Sequence, residues 1–145
     1  MSYIAATAKV YGNAKVTGNA IIEGHVLVGD YTEVSGNAHV SGNARVCGNA
    51  RVSGNAVICD DAQVWGNAQI GGHVRVLDKA WVCDQARIGG EACVCGDAYV
   101  GGRVYVCGCA LVTGRVKLNG GSVLEGCVTI SSGKISDVHW WKDVP

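Results

Sequence analysis

VSGNAHVSGNARVCGNARVSGNAVICDDAQVWGNA, residues 34–68, is the stretch whose reading decides the fold. Its apolar residues return every six positions, with Val34, Val40, Val46, Val52, Ile58 and Val64 in one series and Ala38, Ala44, Ala50, Ala56, Ala62 and Ala68 in the other. Followed outward, the aliphatic series keeps strict phase from Ile4 to Ile130, and all twenty-two of its positions are Val, Ile or Leu. Four residues after each, from Ala8 to Val128, stands a small residue, usually Ala and otherwise Val, with Thr32 and Ser122 as exceptions. The unit is Ala-x-Val-x-Gly-Asn.

Alternation across Ala-x-Val is the period of a short strand, so Ala and Val face one way and the residue between them the other. Branched Val and Ile suit the pleated surface of a strand. The following pair has to turn the chain. From residue 12 to residue 126 its first member is always Gly or Asp, with Asp at 30, 60, 78 and 84. Gly lacks the Cβ that clashes at positive φ and Asp tolerates that region better than most, so a left-handed corner is expected every sixth residue. Strands this short are stable only if each coil stacks on the one before it, in parallel sheets around an apolar axis. Three units per coil give an all-β, single-domain triangular parallel β-helix, a β-solenoid of about seven 18-residue coils, and a rod about 34 Å long at the usual strand spacing. Outward-facing positions fall to residues such as Arg45, Arg51, Gln63 and Gln69. The repeat occupies residues 4–130. After Ile130 the phase breaks, and residues 131–145 form a C-terminal tail in which Ile135, Val138, Trp140, Trp141 and Val144 are expected to cap the open coil end, with partner binding by the two tryptophans as the other use.

The unit resembles that of the hexapeptide-repeat proteins, whose fold is the left-handed parallel β-helix, an exception to the usual right-handed crossover. That resemblance implies left-handed coils here. Many members of the family are acyltransferases that take acetyl-CoA or another acyl-CoA and work as trimers, with a histidine as general base. Their usual unit places Gly directly after the aliphatic residue, as Val28-Gly29-Asp30-Tyr31 and Ile88-Gly89-Gly90-Glu91 do. Most units here read Val-x-Gly-Asn-Ala, which is more similar to bacterial and phage-encoded β-solenoid proteins without an established enzymatic role. Relatives that are enzymes commonly extrude a loop from the coil to close their site, and the unbroken phase from Ile4 to Ile130 leaves none.

Composition narrows the classes of function. Twelve basic residues balance twelve acidic ones along the chain, so the broad positive field expected of a nucleic-acid or anionic-membrane binder is missing. No run of eighteen apolar residues offers a transmembrane helix, and Met1 to Ile4 lacks the basic and apolar blocks of a signal peptide, so a cytoplasmic location is expected. The eight cysteines then read chiefly as reduced thiols that fill space as small apolar groups.

Candidate chemistry can be placed by adding 18, which moves one coil along the same edge. His73 stacks over Glu91, a geometry able to orient an imidazole, and His39 faces outward from mid-strand, so these three residues are the candidate machinery of the acyltransferase reading. Arg103, Arg115, Lys117 and Lys134 are the cations available to acyl-CoA phosphates. Cys109 and Cys127 differ by 18 and should approach to about 5 Å between Cα atoms, which a disulfide accepts. Cys93-Val-Cys95 and Cys107-Gly-Cys109 are half-sites without a well-placed second pair, so no metal is expected. No flat rank of Thr, as ice binding requires, is present.

The outer surface carries the strongest functional signal. Trp65, Trp81, Cys83 and Tyr99 occupy neighbouring outward columns and are expected to make one exposed apolar patch, a common mark of an interface. Ile21, Val57 and Leu111 dot another face, and Tyr105 with Val123 a third. The leading expectation is a non-enzymatic scaffold, of a kind common among phage-encoded proteins, that binds itself as a homo-oligomer, a trimer first, and an unidentified protein. The alternative is the acyl-CoA-dependent acyltransferase.

Overall fold

The computed structural model describes residues 1–135 with Trp140 and Trp141, and for Ile135, Trp140 and Trp141 it describes the backbone alone. Among the described residues twenty-four two-residue strands form three eight-stranded parallel sheets, each strand pairing with those three places before and after it. The first face is built from Tyr3–Ile4, Ile21–Ile22, His39–Val40, Val57–Ile58, Arg75–Val76, Cys93–Val94, Leu111–Val112 and Thr129–Ile130. The second runs from Lys9–Val10 through Gln63–Val64, Trp81–Val82 and Tyr99–Val100 to Lys134–Ile135. Lys15–Val16, Glu33–Val34, Arg51–Val52, Gln69–Ile70, Arg87–Ile88, Tyr105–Val106, Val123–Leu124 and Trp140–Trp141 make the third.

Register follows the six-residue repeat, since Val64 lies opposite Val82, Ile70 opposite Ile88 and Ile22 opposite Val40. From Ile22 to Leu124 the second residue of each strand turns inward, and these aliphatics are buried along the axis beside the Ala series. Strand edges are satisfied by the next coil, as in Trp65 N–H to the Val82 carbonyl at 3.0 Å.

All twenty corner residues from position 12 to 126 have positive φ, sixteen Gly between 62° and 80° and four Asp between 59° and 62°. Close stacking adds a second reason for Gly: a Cβ on Gly72 would stand 2.6 Å from the carbonyl oxygen of Gly90. The Asp corners compensate differently. Asp30 accepts the N–H of Gly48 at 2.9 Å, Asp60 that of Asp78 at 3.2 Å, Asp78 that of Gly96 at 2.9 Å and Asp84 that of Gly102 at 2.9 Å. Each carboxylate thereby ties its own coil to the following one.

The phase break after Ile130 has a structural counterpart. Lys134–Ile135 pairs with Lys117–Leu118 and Trp140–Trp141 with Val123–Leu124, at offsets one residue short of the regular eighteen. The tail therefore lengthens the second and third sheets by one strand each. Whatever the side chains of Trp140 and Trp141 do as a cap or a binding element lies outside the described residues, as do residues 136–139 and 142–145.

Candidate functional site

On the second face the register sets Trp81 opposite Gln63 on one side and Tyr99 on the other. Trp65 follows the inward Val64, so it too points outward, one step along the chain from the Gln63 column. The indoles of Trp65 and Trp81 meet edge to face with centroids 6.2 Å apart and planes at 76°, and the Trp81 and Tyr99 rings lie 6.4 Å apart, tilted by 45°. Both distances suit the aromatic quadrupole. Trp65 and Trp81 remain 37% and 40% exposed, so a continuous aromatic ladder faces solvent across three coils.

Cys83 departs from expectation, because it is fully buried rather than part of the exposed patch. Its side chain is short, and Tyr99 of the next coil leans over it: the thiol donates to the Tyr99 hydroxyl at 3.1 Å. Room for that lean comes from Gly101, where a Cβ would stand 2.9 Å from the Tyr99 ring. The shared hydrogen bond, then burial, pushes the Tyr99 phenol up to about 12. Cys83 is thus the floor of the patch, and it fixes the orientation of one aromatic.

The candidate acid–base residues separate into two places. His73 and Glu91 line an open hollow of about 420 Å³ with Arg75 and Cys93, but no hydrogen bond joins the imidazole to the carboxylate. His39 instead meets Glu23, with Nε2 and Oε1 2.7 Å apart, on the exposed first face. Stepping by 18 misses this pair, since 23 and 39 differ by 16. The residue after an inward aliphatic and the outward strand residue of the next coil are diagonal neighbours, and Trp65–Trp81 and Cys83–Tyr99 are built the same way.

Cys109 and Cys127, one coil apart at a corner, are joined as a disulfide with Cα atoms 4.6 Å apart. Cys47, Cys59, Cys83, Cys93, Cys95 and Cys107 are free thiols. Burial first, then the adjacent Asp60 carboxylate, pushes the Cys59 thiol up to about 11, and burial together with Cys95 pushes Cys93 up to about 11. Such thiols carry little thiolate at neutral pH and are poor nucleophiles there. Among the described residues, no group of three or more His, Cys, Asp or Glu side chains is placed to hold a metal ion.

A family model described as YdcK Beta solenoid repeat matches residues 44–60 and 68–84. These are two stretches of the middle coils. The chain is a β-solenoid repeat protein. No curated protein matches the solenoid. The matched segments include Trp81 and Cys83, while Trp65 falls in the interval between them. No helix among the described residues is long and apolar enough to cross a membrane.

Proposed function

We propose that this solenoid is a non-enzymatic scaffold that acts by protein–protein assembly through its second face, with a homo-oligomer, a trimer first, as the assembled form. The observation that carries the reading is the Trp65–Trp81–Tyr99 ladder, three aromatics in successive contact on the second face. Aromatic side chains supply large contact area at small entropic cost and dominate interface hot spots. A flat face lets the ladder of one solenoid lie along that of another without rearrangement of the coil. Among the described residues no loop leaves the coil to enclose a substrate, and His73 and Glu91 stand open to solvent at their corner.

The test is light scattering on wild type and on a Trp81→Ala, Tyr99→Ala double variant, with a pull-down of bound proteins in parallel. Assembly through the ladder predicts a drop to monomer mass, or loss of the captured partner, at unchanged secondary structure. Identical mass and identical partners would remove the proposal. Calorimetric titration with acetyl-CoA separates it from the acyltransferase alternative: micromolar binding would shift the assignment to His73, Glu91 and His39, whereas the scaffold gives no heat.

A further inference from the structure

The third face carries a feature unlike the aromatic ladder. Two adjoining hollows of about 610 and 360 Å³ share Gln69, Arg87 and Tyr105 and cross four successive coils, from Arg51 to Arg103. The floor of the smaller hollow is low because two strands are followed by glycine: a Cβ on Gly89 would meet nothing within 4 Å, and Gly71 would meet only the Ser53 hydroxyl at 3.4 Å. No carboxylate lines either hollow, and the lining brings together Arg51, Arg87 and Arg103 with the amides of Asn67, Gln69 and Gln85.

Among the described residues none of these three guanidinium groups forms an ion pair or a side-chain hydrogen bond; the one ion pair there, Glu23 with His39, lies on the first face. Glu33, paired across the sheet with Arg51, borders one end of the column without a salt bridge to it. Glu125 stands near Cys107 toward the other end. Three forks without an ion pair in one groove repel one another, and an anion laid between them relieves that repulsion with charge-assisted, bidentate contacts. Arg51 and Arg87 lie on the same column two coils apart, about 9.6 Å at the strand spacing. The ligand that satisfies both is therefore extended, with its negative groups at intervals.

We propose that the third face binds an acidic oligosaccharide laid along the stack of coils. Carboxylates on the glycan meet Arg51, Arg87 and Arg103, the amides of Asn67, Gln69 and Gln85 exchange hydrogen bonds with its hydroxyl groups, and the exposed ring of Tyr105 receives the apolar face of one sugar. Amides outnumber aromatics here, the balance that suits hydroxyl-rich rings. A single-stranded nucleic acid calls for successive aromatic stacking platforms, and this groove has one ring.

Calorimetry with an oligogalacturonate as probe tests the assignment, beside a neutral galactan oligosaccharide and an oligothymidylate. The expected result is binding of the oligogalacturonate alone, weakened about ten-fold or more by Arg87→Gln, since one charged hydrogen-bonding contact is lost. Arg45→Gln, on the second face, leaves it unchanged, and the thermal melt of each variant reports that the coil is intact. Absence of binding, equal affinity for the neutral glycan, tighter binding of the oligothymidylate, or indifference to Arg87→Gln would each overturn the proposal. Because the groove and the aromatic ladder lie on different faces, failure of one reading leaves the other to be judged by its own variants.

Discussion

The first coil and the fourth are written in the same six-residue unit, yet they are not equally folded into the core. Ile58, Val64 and Ile70 in the fourth coil are 0%, 0% and 2% exposed, whereas Ile4 in the first is 44% exposed and Val10 and Val16 are half-buried. Ile4 and Ile58, or Val10 and Val64, are identical side chains at equivalent positions, and they differ in having coils on one side or on both. Burial in this molecule is a property of the stack, supplied by nearest neighbours, and the unit alone buries little.

Substitution of the same residue in the two coils gives the largest contrast. Ile58→Ala should destabilise the protein by about 2–5 kcal/mol, because the surrounding coils cannot collapse into the space it leaves. Ile4→Ala should cost under about 1 kcal/mol, because little area is removed from contact there. Urea midpoints of the two variants measure the difference, and equal shifts would mean that the first coil is covered in solution.

A second contrast sets a corner glycine against a strand-end glycine of the adjoining coil. Gly72→Ala places a Cβ at φ +68° against the Gly90 carbonyl, and a loss of about 2 kcal/mol is expected from the left-handed backbone alone. Gly89→Ala, at an ordinary φ with open space around it, should be neutral or stabilise by about 0.4–1 kcal/mol through the unfolded chain. Thermal melts check the pair: the Gly72→Ala midpoint should fall while that of Gly89→Ala holds or rises.

The smallest effect concerns the Ala column. Thr32 takes the place of an alanine there, is fully buried, and its hydroxyl has no hydrogen-bond partner. Thr32→Val keeps the shape and removes the orphaned oxygen, so a gain of about 1 kcal/mol is expected, read as a raised melting temperature. Loss of stability instead would show that the hydroxyl is satisfied in solution.

Columns were legible in the sequence and diagonals were not. The inward aliphatics, the positive-φ corners and the approach of Cys109 to Cys127 all follow from adding 18, because parallel stacking puts those residues directly over one another. The Glu23–His39 pair depends on how two outward side chains lean across a coil boundary, a rotamer property that the repeat does not encode. Burial of Cys83 has the same origin. Gly101 was its available signal, since a glycine in that place leaves the gap through which Tyr99 reaches back. The arginine groove was hidden for a related reason: Arg103 groups in the sequence with the cations offered to acyl-CoA phosphates, and the repeat does not show that its side chain shares a hollow with Arg87. In the tail, the loss of repeat phase hid that pairing resumes one residue out of step.

The 18-residue register also makes length an adjustable quantity. Removing eighteen codons from the middle of the gene would take out one coil and leave each remaining residue on its own face, so the prism would shorten while its sides kept their identities. Removing six would turn everything downstream by a third of a revolution, and the aromatic and arginine surfaces would be cut apart and reassembled on the wrong sides. Duplication and loss in such a lineage should therefore proceed in whole turns, and the number of turns becomes a ruler that selection can read in steps of about 4.8 Å.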